Sequence, residues 1–499
     1  MAVEFTPYST GESLFGTKPS WVADPLDQKR LMSYALYEMI YWNVPEVFRL
    51  TQRGTDDKPI YVPAGRTIID TSNRYTAPGY SVAVSNLTGG PDSADVQAAR
   101  MTLSDLMARE RFKSKFRGAK RYCQIQGDWI WHVTANPEKP VGTRLSMTVV
   151  DPGHYFPVQD PENVDRVIAV FLAELVTQGN DQFVRRVCYR KMAATATAPA
   201  QIFVEEGLFE VDNWQDLEVQ PEEVIRPLTQ LPPEITAIPV YHTKNFEEPG
   251  NPFGSSEIRG MERIISGLHQ TMSDEDLTLA LNGLGMYVTD APRPVDSETK
   301  RPVAWQLGPG RVVQVPTANP PHKFERVSGV SDVTPYGDHY TRLWDAIKQA
   351  TGSPDVAIGT VDVAIAQSGI ALALQLSPIV AKSSEKNDLI AESHDQMWFD
   401  ITNMWYPAYE ETTFTEVKTE SVFADAVPVD RETRFKELND MLAGGVIDDQ
   451  YYRDEATKLG YKFPENMATR AATWRQSQQP VDPFATRVDA ETAEDDGPA

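Results

Sequence analysis

Histidines stand at positions 132, 154, 242, 269, 322, 339 and 394. No two are separated by the three to five residues that would place both rings on one metal. A phosphate-cradling GxxxxGK[ST] loop needs a Gly-Lys pair, and the chain contains none; HExxH and GxSxG are also absent. Gly283-Leu-Gly285 and Gly308-Pro-Gly310 lack the third glycine of a dinucleotide fingerprint. The carboxylate pairs Asp274/Asp276 and Asp448/Asp449 read as solvated helix faces. The expectation is a protein without catalytic residues, cofactor or metal. Catalytic groups distant in sequence would escape such a search, so an acidic enzyme stays open as an alternative.

One cluster could grip phosphate. Arg109, Arg111, Lys113, Lys115, Arg117, Lys120 and Arg121 surround Phe112 and Phe116. Cations interleaved with aromatics suit nucleic acid. The favoured alternative is an amphipathic helix that buries the two phenylalanines, four residues apart, and leaves the charges in water; a salt-bridged subunit interface with an acidic neighbour lies between the two readings. The chain as a whole opposes phosphate: 71 acidic against 47 basic residues give a formal charge of −24. Hydrophobic residues make up 41% of 499, enough for several domains with real cores. Two cysteines, Cys123 and Cys188, allow at most one bridge and fit a reducing compartment. Residues 1–8 lack a basic region followed by an apolar run, so no secretory signal is expected there. The most apolar stretch, Ile370 to Ala381, is interrupted by Gln375, Ser377 and Pro378. It is too short to span a bilayer, so no membrane partner is expected.

The elements that must position these groups fall into two styles. Helical spacing of Leu31, Tyr34, Ala35, Met39 and Trp42 predicts a helix over Lys29 to Asn43. Residues 54–92, rich in Gly, Pro and Asn, read as short strands and turns, and a single helix follows from about Ser93 to Cys123. Strands are expected at Gly127 to Val133, Arg144 to Val150, Val167 to Val176, Phe183 to Met192 and Gln201 to Glu205. Residues 1–250 are therefore a mixed α+β region.

Beyond it a long helix is expected to open at Phe253 to Glu257, with Ser255 or Ser256 as cap and Glu257 in the first turn. Ile258, Met261, Ile265, Leu268 and Met272 recur at steps of three and four, a seam for packing on another helix. Residues 285–328 hold seven prolines and three short strands, at Met286 to Thr289, Val303 to Leu307 and Arg311 to Val315. A helix returns at Thr334 to Ala350. A loop of small and apolar residues runs from Thr351 to Ser368, and a long helix from Gly369 to about Trp405. Pro378 inside that helix removes a backbone donor and should kink it. A strand at Val417 to Val422 precedes two more helices, Arg431 to Ala443 and Asp449 to Leu459. The acidic, polar residues 476–499 read as a disordered tail.

Several stretches resemble portal proteins of tailed double-stranded DNA bacteriophages with long non-contractile tails. They are Asn251-Pro-Phe-Gly-Ser-Ser-Glu-Ile with Ile264-Ile-Ser-Gly-Leu-His-Gln-Thr-Met-Ser-Asp, and Gly352-Ser-Pro-Asp-Val-Ala-Ile-Gly. The most specific is Gln367-Ser-Gly-Ile-Ala-Leu-Ala-Leu-Gln-Leu-Ser-Pro-Ile-Val-Ala-Lys. Met441-Leu-Ala-Gly-Gly-Val-Ile-Asp-Asp, Gly127-Asp-Trp and Val150-Asp-Pro add to it. The resemblance covers roughly residues 29–465.

The resemblance implies an α+β portal fold. Residues 1–253 would form a mixed α/β wing, the first 28 or so being an arm. Residues 254–283 and 331–350 would form a two-helix stem, with Ile258, Met261, Ile265, Leu268 and Met272 packing it. Residues 284–330 would be a small α/β clip that docks first the terminase large subunit and then the head–tail adaptor, through Arg293, Lys300, Arg301 and Trp305. Residues 351–368 would be a tunnel loop facing DNA, with Asp355, Val356, Ile358, Val361, Asp362, Val363, Ile365 and Gln367. Residues 369–424 would return to the wing through the helix kinked at Pro378, and 425–475 would form a helical crown. Such chains form rings, expected to be dodecamers, at one capsid vertex of the virion. They pass double-stranded DNA non-specifically during packaging and ejection, meet the major capsid and scaffolding proteins, and nucleate procapsid assembly. Another capsid or tail scaffold protein remains the second alternative.

Overall fold

The computed structural model describes residues 21–51, 58–88, 93–194, 199–284, 286–296, 298–305, 320–327, 332–359, 369–415, 417–426, 431–447 and 449–458. The chain divides into two compact units, Met1–Val427 and Pro428–Ala499. The first is α+β.

Helix α1 (Pro25–Tyr41) starts earlier than its apolar spacing suggests. Asp24 accepts a hydrogen bond from the Leu26 amide at 2.7 Å, and Pro25 takes the first helical position, where no amide donor is needed. Helix α2 (Ala64–Tyr75) replaces the strands expected in this region. Its Gly65 lies against α1 so closely that a Cβ would stand 2.8 Å from Ile40 Cγ2, and Ile68 and Ile69 are fully buried. Strand β1 (Ser81–Asn86) follows. The single helix expected over 93–123 is two, α3 (Ala94–Arg109) and α4 (Phe112–Gln126). The break is at Arg111, whose φ is +51°. There Glu110 turns aside to accept from Lys115 Nζ at 3.0 Å and the Met147 amide at 3.2 Å.

Two antiparallel sheets come next. Strands β2 (Asp128–Ala135) and β3 (Leu145–Val150) pair with the later β9 (Val240–Lys244) in the order β3-β2-β9. Strands β4 (Tyr155–Asp160), β5 (Asn163–Gln178), β6 (Asp181–Met192), β7 (Gln201–Glu210) and β8 (Glu223–Gln230) form a meander. β5 and β7 run longer than expected, and β4, β8 and β9 carry no clear alternation in sequence.

Then come α5 (Glu262–Leu284), the hairpin β10 (Met286–Thr289) and β11 (Phe324–Val327), α6 (Thr334–Thr351) and a four-residue helix α7 (Asp355–Ile358). Helix α8 (Gly369–Asp400) continues into a π-helical turn, Ile401–Trp405, and a last α-turn, Tyr406–Tyr409. Strand β12 (Val417–Val422) pairs antiparallel with β1.

The three-stranded sheet is the middle layer. Trp129 and Trp131, two residues apart on β2, point to one face. Phe112 of α4 stacks on Trp131 with ring centres 5.2 Å apart, and Phe116 meets Trp129 at 5.0 Å. His394 of α8 meets Trp129 at 4.8 Å, so α4 and α8 cover the same face. Trp131 donates its indole N–H to His394 Nε2 at 3.0 Å, which leaves the proton of this imidazole on Nδ1, facing the Ile390 carbonyl at 2.8 Å. Burial holds His394 neutral, pushing it down to about 4. On the other face His132 bonds Tyr189 of β6 at 2.8 Å, and Tyr155 of β4 packs on His242 of β9. The meander therefore lies on that side. Truncating one of these aromatic side chains to Ala would cost about 3–5 kcal/mol.

In the second unit, α9 (Arg431–Ala443) ends at Gly444 and Gly445, the latter with φ +68°, and α10 (Asp449–Lys458) packs back on it. Leu438 and Ala456 are buried, and Tyr452 donates to Asn439 Oδ1 at 2.7 Å.

Candidate functional site

The region singled out by sequence is the helical hairpin α5–α6 with its strand module, followed by α7 and α8. α5 and α6 pack along each other. Gly267 permits the approach, since a Cβ there would lie 3.4 Å from Leu343 Cδ1, and Thr278 donates to Tyr336 at 3.3 Å farther out.

The base of the hairpin differs from the expectation. Helix α5 begins at Glu262, so Ser255, Ser256 and Glu257 lie ahead of it, and Ser256 Oγ accepts from the Ile258 amide at 3.3 Å in the preceding turn. Their segment is bound into the sheet layer instead. Gly254 donates its amide to Asp128 at 2.7 Å, Asn245 donates to the Ser255 carbonyl at 2.9 Å, and the Glu257 amide donates to the Gln124 carbonyl at 2.9 Å. Gly260, with φ +84°, then turns the chain into the helix.

This diversion brings Glu257 to two lysines of α8. Lys382 lies 2.6 Å away, and Lys386 forms a second, closer ion pair. The Glu257 and Lys386 side chains are 1% and 2% exposed. Burial pushes the Glu257 carboxyl up, but Lys386 and Lys382 together outweigh it and hold the group below its usual value. Lys386 also donates to Ser72 Oγ of α2 at 3.0 Å, and Lys382 to the carbonyl of Thr351, the last residue of α6, at 2.9 Å. The triad thus ties the start of α5, the end of α6, α2 and α8 together. Sequence reasoning missed it. The available signal was two lysines four residues apart in an otherwise apolar-faced helix.

The heptad seam packs on α6 and on α1. Ile258, Ile265 and Leu268 are 0%, 1% and 0% exposed, and Met261 packs beside them while Met272 is half-buried. Ile258, Met261, Ile265 and Leu268 share one core with Leu36, Tyr37 and Ile40 of α1 and Ile347 of α6. The aliphatic positions of the seam are consumed inside the chain, while Met261 and Met272 stay half-buried.

At the far end, β10 and β11 pair from Met286↔Val327 to Thr289↔Phe324. Arg293, Lys300 and Arg301 are exposed and Trp305 is half-buried. Asp296 accepts from the Glu298 and Thr299 amides, both at 2.8 Å, in a tight loop closed by a bridge between Val295 and Pro302. Residues 303–305 therefore belong to no strand, contrary to the expectation of one from Val303. The strand expected at Arg311 to Val315 lies outside the described residues.

The loop after α6 is only partly a loop. Gly352, φ +64°, ends α6, and Asp355–Ile358 form the turn α7. Ala357 and Val356 pack on Leu376 and Ile379 of α8; Ile358 is half-buried. Asp355 is exposed but pairs with Lys348 at 2.8 Å. Lys348 also pairs with Asp345 at 2.7 Å, so the three groups together keep a negative charge. Val361, Asp362, Val363, Ile365 and Gln367 lie outside the described residues. In α8 the helix runs on through Pro378. Proline cannot donate to the Leu374 carbonyl, and Ser377 Oγ takes that acceptor at 2.8 Å.

The basic cluster splits. Phe112 and Phe116 are buried. Arg109 donates to the Leu145 carbonyl at 2.8 Å, Arg121 pairs with Asp70 at 3.6 Å, and Lys120 donates to the Asn73 and Thr76 carbonyls at 2.9 and 2.6 Å. Burial pushes Lys120 down to about 8. Arg111, Lys113 and Arg117 stay exposed.

Among the described residues no three His, Cys, Asp or Glu groups could hold a metal, and no helix is long and apolar enough to cross a membrane. Both cysteines are free and buried. A cleft of about 460 Å³ between α1 and residues 250–259 is lined by Asp27, Arg30, Tyr34 and Arg259. Arg30 there serves structure, donating to the Pro152 and Tyr155 carbonyls at 2.7 and 3.0 Å.

No family model and no curated protein sequence matches the chain. Solved structures similar to it include chains from gene transfer agent (GTA) particles. One, from the neck of a native particle computed with C12 symmetry, is 11% identical with a TM-score of 0.42, covering 82% of this chain and 97% of that one. Another, from the neck of an empty particle computed with C6 symmetry, is 12% identical with a TM-score of 0.43, over 81% of this chain and 91% of that one. A third, from the virion of a native particle, is 11% identical with a TM-score of 0.43, over 87% and 94%. Likeness at this level carries no argument about function.

Proposed function

We propose that this chain is the subunit of a portal-type ring in a virion, a non-enzymatic channel for double-stranded DNA at one capsid vertex. The observation that carries the reading is the hairpin α5–α6. It projects a two-stranded module from an α+β body and returns through α7 into the long helix α8, with its two helix ends tied at the base by Glu257, Lys382 and Lys386. That order of elements is the one implied by the sequence resemblance. In this reading residues 284–330 dock the terminase large subunit and later the head–tail adaptor, while 351–368 face the DNA. The major capsid and scaffolding proteins contact the ring from the shell. Hydrolysis of ATP belongs to the terminase, and the purified chain should show none.

The test is made in the parent particle. Removing the chain should abolish nuclease-protected DNA, and supplying it in trans should restore it. Particles that package DNA normally without it would contradict the proposal.

A further inference from the structure

The aliphatic positions of the α5 seam are buried within the chain, so contacts between copies need other surfaces. Two other helices present unpaired charge. On α4, Lys113 and Arg117 are exposed and form no ion pair among the described residues. On α8, Glu385, Asp388 and Glu392 are exposed and equally unpaired among the described residues. These helices cover the same sheet face, and their inner sides are fixed by Phe112, Phe116, His394 and Trp398 in one aromatic core. Their outer sides are therefore held in a set orientation rather than free to adapt.

The two faces match in spacing as well as in sign. Lys113 and Arg117 are four residues apart, and so are Asp388 and Glu392, a rise of about 6 Å in each helix. The acidic face of α8 also continues into exposed aromatic surface, since Phe399, seven residues after Glu392, is 38% exposed. A patch on one helix complementary to a different patch on another makes a head-to-tail contact, the kind that closes into rings when the rotation permits. We propose that the cationic face of α4 in one copy docks on the acidic face of α8 in the next copy of this chain. The occupant is a second copy because the complementary patch lies on this chain itself. The inference rests on the ring reading above.

A charge-swap experiment on the full-length chain tests it. One variant carries Lys113→Glu with Arg117→Glu, and the other Asp388→Lys with Glu392→Lys. Each alone places like charges face to face, and should raise the concentration needed for half-assembly by at least about tenfold at physiological ionic strength. Mixed in equal amounts, the two variants should assemble again, because each supplies what the other lacks. A chain carrying all four reversals should also assemble, which keeps the test valid if one double variant folds poorly. Mass photometry reads assembly, and circular dichroism checks folding. Rings formed by either folded double variant as readily as by the original chain would overturn the interface. So would a mixture of folded variants that stays unassembled. If the Lys113→Glu, Arg117→Glu chain forms rings normally but loses retention on double-stranded DNA, the α4 face serves nucleic acid instead. An unaltered chain that never assembles fails the ring reading itself, a result distinct from all of these.

Discussion

Glu257 and Lys386 form a buried ion pair across 129 residues of sequence, and that pair joins the base of the α5–α6 hairpin to α8. Both groups leave water only because each finds the other, with Lys382 and Ser72 completing the set. Removing Lys386 leaves the buried Glu257 with Lys382 alone, and removing Glu257 leaves both lysines without their carboxylate. Lys386→Ala is expected to destabilise the first unit by about 3–5 kcal/mol, whereas Glu257→Leu combined with Lys386→Met should recover most of that loss. Denaturant titration of the single and double variants checks both statements.

The Asp400 carboxyl accepts from Tyr241 at 3.0 Å and from Gln396 at 2.7 Å, yet burial pushes it up from 3.8 to about 6. An acid raised on folding favours the native state most below its unfolded value and loses that contribution as pH rises through its folded value. Asp400 therefore weakens the fold at pH 8 and not at pH 3. Asp400→Asn should stabilise the chain by about 1–3 kcal/mol at pH 8, with the gain vanishing below about pH 4. Chemical denaturation at the two ends of this range measures it.

Trp305 lies in the exposed module beyond the β10–β11 hairpin. Trp305→Ala should leave the body folded, with an unchanged melting transition, and reduce ring formation or tail attachment. Normal assembly and tail joining, scored by electron microscopy, would remove the module from its docking role.

Asp355 shares Lys348 with Asp345, so a test of the DNA-facing loop falls on Asp362. Asp362→Lys adds a cation in every copy of a ring. Packaging should slow, with partial recovery at higher salt, because phosphate contacts weaken steeply with salt. Packaging rates unchanged in rings of normal mass would mean that this loop does not meet DNA.

What the sequence revealed follows from how local each signal is. The strands around Trp129 and Trp131, helices α6, α9 and α10, and the Pro378-containing α8 announce themselves through periodicity and flanking residues. The burial of Phe112 and Phe116 follows from their four-residue spacing. Helix α2 stayed hidden because Gly65 marks an interhelical approach to Ile40, not a turn. The start of α5 was misplaced because Ser255 and Ser256 look like caps, while their true partners, Asn245 and Gln124, are distant in sequence. The α5 seam was legible as a packing face. The fold adds α1 to the expected partner α6 in the core around it.

The central claim is a closed ring, and electron microscopy of the purified full-length chain tests it most directly. Class averages should show rings of about a dozen copies with a central hole, the closed cyclic arrangement that a head-to-tail interface generates when its rotation closes. Monomers or dimers alone at micromolar concentration, across a range of salt, would contradict the account.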